Sequence, residues 1–274
     1  MDPFVSLIRR NSRRLRLVPA GIPCSGSLPR VPRAVLFDVY GTLLLRVPRA
    51  AGSVGAFLRS SSLRLTPVQL SDRLSHAVAA HHEHSRARGI SFPEVRIERI
   101  WGMLFPGRSE RELRRLAICH ELAAHSCWPM PGCPKVIESI SGRGVLLGIV
   151  SNAQFYTPLF LQAFFQRAPE DLGFRRSLCI YSYRYGAGKP GPVLYELARE
   201  RLGRLGIPSR EVVMVGNDPS NDVTAAARAG FMTVLLAGDR RMRSPIDGSG
   251  TGTRPDAVID RLSSLIRLIR HPGA

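Results

Sequence analysis

Four short apolar runs, separated by stretches of helical character, constrain the fold of this chain more than any other feature. The runs are Ala34–Phe37, Val145–Val150, Val212–Val215 and Thr233–Leu236. Continuous apolar runs of this length are typical of parallel strands that are buried on both faces. The helices predicted around them cover 134–141, 158–167, 191–204, 221–229 and Leu262–Ile269. This alternation predicts an α/β fold whose core is a Rossmann-like parallel sheet.

A helical insert is predicted directly after the first strand. Thr66 followed by Pro67 is typical of a helix start, and Ser109 with Glu112 forms a capping-box pattern. We therefore divide the chain into an N-terminal tail, an α/β core and a helical cap domain. The core covers 33–47 and 131–274, with a Gly-rich loop at 244–254, and the cap covers 48–130.

Residues 1–32 are predicted to form a basic, disordered tail, because six arginines stand against one acid and Pro19, Pro23 and Pro29 interrupt any helix. The whole chain carries a formal charge of +18. Lys135 and Lys189 are the only lysines among its 39 basic residues, and a GC-rich coding bias explains this arginine excess better than selection for phosphate contacts. We therefore do not expect nucleic acid as a partner, and each lysine becomes more informative.

Several classes of protein are disfavoured by composition. No apolar run reaches the roughly 18 residues of a membrane-spanning helix, so no membrane segment is predicted. Five cysteines without a CxxC pair predict neither a disulfide framework nor a structural zinc site. We expect a cytoplasmic protein with a small-molecule substrate, and its oligomeric state is left open.

Polar residues stand where the predicted strands end, which is the edge where open parallel sheets bind ligands. Asp38 follows the first strand in a turn with Gly41 and Thr42, which suits a carboxylate nucleophile but also an ordinary Asx turn. Ser151 and Asn152 follow the second strand, where they can hydrogen-bond an anionic substrate or simply form a turn. Together these turns predict a site at one edge of the sheet.

Two further segments add charge to the predicted site. Lys189, in a Gly-rich turn before Pro190, can balance a nucleophilic carboxylate and the charge that builds on a phosphoryl group. Asp218 and Asp222 follow the third strand and straddle a helix start. One carboxylate is enough for an N-cap, so the pair also suggests oxygen ligands for a hard cation.

Taken in this order, the four segments resemble the haloacid dehalogenase superfamily of aspartate-nucleophile hydrolases. The resemblance spans most of residues 33–240 and includes a helical cap inserted after the first strand. It implies that Asp38 is the nucleophile, that Thr42 and Ser151 bind the transferring group, and that Lys189 steadies this group.

The same resemblance implies Mg²⁺ as the cofactor. The implied ligands are Asp38, the Tyr40 carbonyl and Asp218. Asp222 is then either a further ligand or the residue that orients Lys189.

Tyr40 departs from the pattern of the superfamily's phosphatases, which usually have a second Asp two positions after the nucleophile. That residue protonates the leaving oxygen, and such an acid contributes typically about 10²–10⁴-fold to the rate. Tyr40 resembles instead the 2-haloacid dehalogenase branch, which needs neither acid nor metal and has a second tyrosine six residues after the lysine, here Tyr195. Against that branch, Pro219 stands where an Asn is normal, and the halide-binding arginine of the cap has no clear match among Arg64, Arg73 and Arg86.

Three functions remain open from the sequence. The first is a Mg²⁺-dependent phosphohydrolase for a small phosphorylated metabolite, whose leaving group is a good one or whose acid comes from the cap or from water. The second is a metal-free 2-haloacid dehalogenase. The third is a non-catalytic binding protein on the same fold. Asp218, an additional acid of the metal-binding kind, places the phosphohydrolase first.

Overall fold

The structure is a computed structural model that describes residues 2–50, 52–61, 63–242 and 253–270. The Gly-rich loop predicted for 244–254 lies outside the described residues except for its last two. The strands, numbered along the chain, are β1 (Ser25–Gly26), β2 (Ala34–Phe37), β3 (Leu44–Pro48), β4 (His125–Pro129), β5 (Leu146–Ser151), β6 (Phe174–Tyr181), β7 (Val212–Gly216), β8 (Met232–Leu236) and β9 (Ala257–Ile259).

Helices occupy both the core and the insert. They are α1 (Pro3–Asn11), α2 (Ser53–Ser60), α3 (Pro67–Ala87), α4 (Ile97–Leu104), α5 (Glu110–Ala124), α6 (Cys133–Ser141), α7 (Thr157–Phe165), α8 (Val193–Gly203), α9 (Ala225–Arg228) and α10 (Ser264–Arg270). A π-helical turn, Pro219–Thr224, leads into α9. Among the described residues, no helix has the length and apolar character needed to span a membrane.

Seven strands form one sheet in the order β1-β9-β8-β7-β2-β5-β6. All pairings are parallel except that of β1 with β9. β2 lies between β5 and β7, and its four residues are all buried because apolar clusters cover both faces of the sheet. The predicted α/β class with a parallel core sheet is therefore confirmed, and the carboxyl ends of β2, β5 and β7 lie side by side.

The cap consists of α2 to α5, and a two-stranded ribbon connects it to the core. β3 and β4 form this ribbon, pairing antiparallel from Leu44 opposite Pro129 to Pro48 opposite His125. The predicted starts of α3 and α5 are confirmed, since both helices begin with complete capping boxes. Trp101 is fully buried, with its ring stacked on that of Phe105, and it belongs to an apolar cluster that the cap shares with the core.

The N-terminal segment differs from the predicted disordered tail. Asp2 caps α1, and the apolar face of α1, with Val5 and Ile8, is buried against α5 of the cap and α7 of the core. β1 then adds an antiparallel strand at the sheet edge. The prediction was wrong because it weighed the arginines and prolines of the segment. The arginines of α1 lie on its exposed side, and burial of the opposite face offsets the cost of ordering the helix.

Candidate active site

Asp38 directly follows β2 and continues its pairing, since its N–H donates to the Val215 carbonyl at 2.9 Å. The chain then turns sharply through Gly41, whose φ of 93° lies in the left-handed region. A Cβ at Gly41 would come within 2.3 Å of the Asn217 side chain. Glycine is therefore required there for two reasons, and it lets the turn after β2 lie against the end of β7.

Lys189 joins Asp38 to Asp222, although the two carboxylates are 184 residues apart in sequence. Its Nζ donates to Asp38 Oδ1 at 2.7 Å, to Asp222 Oδ1 at 2.5 Å and to the Val150 carbonyl at 3.0 Å. All three donors of the ammonium group are thus used. Burial would lower the pKa of Lys189, but its attraction to Asp222 and Asp38 outweighs burial and raises the pKa to about 12. The lysine is therefore charged at neutral pH.

The two carboxylates of this group differ in their access to solvent. The side chain of Asp38 is 10% exposed, whereas those of Asp222 and Lys189 are 2% exposed. Burial and the neighbouring charge of Asp38 raise the pKa of Asp222 to about 7, despite the opposing attraction to Lys189. The two carboxylates thus compete for one ammonium group, and Asp38 is the carboxylate that a ligand can reach.

Asp218 lies at the end of β7 and links the cluster to the π-helical turn. Its Oδ1 accepts N–H groups from Ser220 at 2.9 Å and Asn221 at 2.8 Å, as the predicted N-cap. Its own N–H donates to Asp222 Oδ2 at 3.0 Å. These bonds fix Asp218 beside Asp222 at the carboxyl edge of the sheet.

This edge of the sheet offers oxygen ligands of the kind that bind Mg²⁺ together with a substrate. Within the described residues, no group of three or more His, Cys, Asp and Glu side chains is arranged to hold a metal. Mg²⁺ does not need such a group, because it keeps several waters and binds through one or two carboxylates plus the phosphate of a substrate. Asp38 and Asp218 supply oxygen donors of this kind.

Thr42, Ser151 and Asn152 lie at the same edge but differ in what they contact. Thr42 is fully buried, and its Oγ1 has no hydrogen-bond partner among the described residues. Ser151 is also fully buried and makes only a 3.4 Å contact from Oγ to the Asn152 carbonyl. Asn152 accepts the Lys189 N–H at 2.7 Å and donates to the Lys189 carbonyl at 3.0 Å. Its amide therefore holds the lysine turn in place.

Both tyrosines of the sequence prediction have their hydroxyl groups engaged within the protein. The Tyr40 hydroxyl lies 3.0 Å from Thr157 Oγ1 at the start of α7, and burial raises the pKa of this phenol well above its usual value. Tyr195, on α8, is 1% exposed and donates to the Asn221 carbonyl at 2.7 Å. This position supports the turn between Asp218 and Asp222, and it does not open Tyr195 to a substrate.

The sequence analysis missed a second buried ionic cluster, at the base of the cap. Glu121 of α5 accepts from Arg46 of β3 at 2.7 Å, lies 3.2 Å from His125 Nδ1 and accepts the Tyr156 hydroxyl at 3.3 Å. Arg46 also lies over the Tyr40 ring, 5.4 Å from its centroid. These residues carry no motif, and only their capacity for ion pairs could have suggested the cluster.

The family follows from comparison with known proteins. A family model described as haloacid dehalogenase-like hydrolase matches residues 32–230, which is more than half of the chain. The chain belongs to the haloacid dehalogenase-like hydrolases. It is therefore an enzyme of the hydrolase class, and the non-catalytic alternative is set aside.

Relatives of this haloacid dehalogenase-like hydrolase include two chemistries. A phosphoglycolate phosphatase of Xanthomonas campestris pv. campestris (strain 8004) is 28% identical over 214 residues, which cover 75% of this chain and 83% of the relative. The (S)-2-haloacid dehalogenase 2 of Pseudomonas sp. (strain CBS-3) is 26% identical over 243 residues, covering 88% and 97%.

A solved structure shows the same fold. The 2-haloacid dehalogenase of Pseudomonas syringae pv. Tomato DC3000 superimposes with a TM-score of 0.55 at 20% identity, covering 87% of this chain and 98% of that one. Similarity at this level agrees with the fold, and the choice between phosphatase and dehalogenase chemistry depends on the site itself.

Proposed function

We propose that this hydrolase is a Mg²⁺-dependent phosphohydrolase that acts on a small phosphorylated metabolite, with Asp38 as the nucleophile. The carboxylates at the strand ends carry the proposal. Asp38 and Asp222 both bond Lys189, and Asp218 adds a third carboxylate at the same edge. Carboxylate oxygens are ligands that Mg²⁺ prefers in proteins, so a divalent cation would be stabilised at this edge.

The proposed chemistry uses two displacements at phosphorus. A carboxylate oxygen of Asp38 attacks phosphorus, and the bond to the leaving oxygen breaks with its electron pair passing to the leaving group. Water then attacks the aspartyl phosphate, which releases inorganic phosphate and restores the carboxylate while a proton passes to solvent. Lys189 stays charged and offsets the negative charge on the phosphoryl oxygens.

The remaining residues have supporting parts in this proposal. Thr42 Oγ1 and the Ser151 and Asn152 turn would bind the phosphoryl oxygens, and Asp222 would orient Lys189 because it is the more buried of the two carboxylates. Asp38, Asp218 and the Tyr40 carbonyl would hold Mg²⁺, which neutralises charge on the phosphoryl group and aligns it for attack.

The leaving group is constrained by Tyr40. A phenol whose pKa is raised by burial, and whose hydroxyl is engaged with Thr157, is a poor proton donor. We therefore infer a substrate whose leaving group departs without protonation, such as an acyl phosphate or another anhydride, or one whose proton comes from the cap or from water.

A metal-free 2-haloacid dehalogenase is the second candidate, and Tyr40 is the observation that favours it. In that reaction Asp38 attacks the carbon that bears the halogen, halide leaves with the bonding electrons, and water hydrolyses the resulting ester. A halide ion leaves without being protonated, so this reaction does not need an acid at position 40. Asp218 has no evident part in this chemistry.

A paired assay separates the two candidates. Phosphate release from acetyl phosphate and p-nitrophenyl phosphate is measured with Mg²⁺, and halide release from 2-chloropropionate is measured with a chelator. We expect phosphate release that is fastest on acetyl phosphate and that excess chelator abolishes. Halide release with chelator present, and no phosphate release, would establish the dehalogenase instead.

Asp218→Asn tests the metal part of the proposal separately from folding. Asparagine is as good an N-cap as aspartate, so the turn at Ser220 and Asn221 should keep its bonds while the charge is lost. We expect the variant to keep the thermal midpoint of the wild type but to need far more Mg²⁺ for turnover. Equal Mg²⁺ dependence in both proteins would exclude Asp218 as a ligand.

The predicted surroundings of the enzyme belong to the same proposal. The five cysteines are all free, which fits a reducing compartment such as the cytoplasm. A small-molecule substrate is the proposed partner, and we do not propose nucleic acid as a second one.

A further inference from the structure

The segment between α3 and α4, residues 91–96, extends from the cap to the core, and we call it the cap loop. Its main chain pairs with the lysine turn of the core: the Glu94 N–H donates to the Gly186 carbonyl at 3.0 Å, and the Gly188 N–H donates to the Phe92 carbonyl at 2.8 Å. Gly188 immediately precedes Lys189. The cap is thus joined directly to the turn that carries the active-site lysine.

The carboxylate of Glu94 extends this junction to a second core loop. Its Oε2 accepts the Ser182 hydroxyl at 2.8 Å, and its Oε1 accepts the Gln154 amide at 3.1 Å and the Val95 N–H at 2.8 Å. Ser182, which is fully buried, also accepts the Ala153 N–H at 2.8 Å. One half-buried cap carboxylate therefore reaches both the loop that follows Ser151 and the loop that leads to Lys189.

The side-chain amide of Gln154, in the core, also forms hydrogen bonds to the cap. Its Oε1 accepts the Ile97 N–H at 2.9 Å, and its Nε2 donates to the Val95 carbonyl at 3.0 Å as well as to Glu94. The side-chain amide thus satisfies one main-chain group in the cap loop and one at the start of α4, besides its bond to Glu94. Such reciprocal bonding specifies one docked position of the cap loop rather than a loose contact.

We infer that Glu94 is a positioning residue, whose bonds to Ser182 and Gln154 set the Ser151 and Lys189 loops as the cap loop docks. The inference rests on the proposed function only in that these two loops serve the reaction, and it applies equally to phosphoryl and carbon–halogen chemistry. Docking of the cap loop and arrangement of the catalytic groups are then one event.

A different role for Glu94, as the missing general acid, does not follow from these contacts. Both carboxylate oxygens already accept hydrogen bonds from the protein, so a proton on Glu94 would be directed at Ser182 rather than at a substrate. Ser182 Oγ can accept that proton's hydrogen bond, because it lies 3.2 Å from the Ala153 carbonyl and can donate there instead. An amide in place of the carboxylate can therefore make the same contacts, which makes glutamine the conservative variant.

The test compares Glu94→Ala with Glu94→Gln, and uses Glu98→Ala as the matched control. Glu98 lies four residues further on, in the first turn of α4, and pairs with Arg96 at 2.8 Å. We expect Glu94→Ala to lower kcat by about 10–100-fold with a smaller change in KM, because loss of positioning near 1 Å can cost about 10²-fold. Glu94→Gln should restore kcat to within a few-fold of the wild type, and Glu98→Ala should leave kcat unchanged.

Hydrogen–deuterium exchange provides a readout that needs no substrate. The Gly188 amide is protected by its bond to the cap loop, so peptides covering 183–191 should exchange faster in Glu94→Ala and at the wild-type rate in Glu94→Gln. The proposal is overturned by unchanged kcat and exchange in Glu94→Ala, by a glutamine variant as slow as alanine, or by a kcat loss that merely follows the thermal midpoint. If the wild type hydrolyses only 2-chloropropionate, the proposed function fails, and the same kcat ratios then test Glu94 on that reaction.

Discussion

Two buried ionic clusters, one at the carboxyl edge of the sheet and one at the base of the cap, differ in how their charges are partnered. The lysine cluster, at the ends of β2 and β7, places one cation between the carboxylates of Asp38 and Asp222. The arginine cluster, at the base of the cap, surrounds the single carboxylate of Glu121 with donors from Arg46, His125 and Tyr156. In the first cluster two carboxylates compete for one cation, whereas in the second one carboxylate has several partners.

The pKa values of Glu121 and Asp222, one buried carboxyl group from each cluster, reflect this difference in partners. Burial raises the pKa of both groups. At Glu121 the bonds and charges of His125 and Arg46 outweigh burial, and its pKa falls to about 2. At Asp222 burial and Asp38 outweigh Lys189, and its pKa rises to about 7. A carboxylate whose charge is stabilised by its partners contributes to the stability of the fold. A carboxyl group whose pKa is strongly raised by its surroundings is typical of a functional site.

Asp38→Asn should produce the largest effect, because it removes the nucleophile from the lysine cluster. We expect complete loss of turnover on any substrate that the wild type hydrolyses. The fold should survive, since an amide oxygen can still accept from Lys189 Nζ and Asp222 remains as the charged partner of the lysine. Steady-state rates measure the loss of turnover, and a thermal melt measures whether the fold survives. An active Asp38→Asn protein would refute the mechanism as a whole.

Tyr40→Asp should change substrate preference by up to about 10²-fold, the lower range of what a positioned acid contributes. Hydrolysis of phosphomonoesters with alkoxide leaving groups should rise, and that of acetyl phosphate should change little. Tyr40→Asn is the matched control, because it removes the ring from beneath Arg46 without adding a carboxyl group. Equal rates for the Asp and Asn variants on phosphomonoesters, with Mg²⁺ present, would show that a missing acid is not what limits the enzyme.

Glu121→Gln should affect stability and spare catalysis. The variant leaves Arg46 without its charged partner, which should cost about 1–3 kcal/mol of unfolding free energy at pH 7, with kcat unchanged. The folded-state pKa of Glu121 lies below its usual 4.5, so its contribution is complete above that pH and is lost as pH falls toward 2. Denaturation curves should therefore converge for the two proteins in acid. A difference that persists at pH 2 would contradict this assignment.

Deletion of residues 2–14 should have the smallest effect. It tests whether α1 stabilises the helix that contributes Glu121 to the arginine cluster. α1 packs against α5, which carries Glu121, and buries Val5 and Ile8. We expect a loss of about 1–2 kcal/mol in unfolding free energy, because deletion removes the burial of these two apolar side chains, and no longer having to order the helix returns part of that free energy. Arg9→Ala with Arg10→Ala, at exposed positions, should cost little. An unchanged thermal midpoint after deletion would show that α1 does not dock.

Much of the fold was determined locally by the sequence. β2, β5, β7 and β8 were predicted because runs such as Ala34–Phe37 are apolar throughout, as buried parallel strands must be. The helix starts were predicted from local patterns, Thr66 from an N-cap followed by Pro67 and Ser109 from a capping box with Glu112, because capping involves residues only a few positions apart. β6 and β9 were missed, since β6 carries exposed arginines in its first half and β9 has only three residues.

The tertiary structure alone decided how the charges are partnered. The sequence placed Asp38, Lys189 and Asp222 at one edge, but it could not show that a single ammonium group bonds both carboxylates or that Asp38 is the more exposed of the two. It gave no sign of the bonds from Arg46 to Glu121 or from Ser182 to Glu94, which join residues 75 and 88 positions apart. Capping and strand patterns act over a few residues, whereas the burial and pairing of a charge depend on packing between distant elements, and that packing sets the chemistry of each carboxylate.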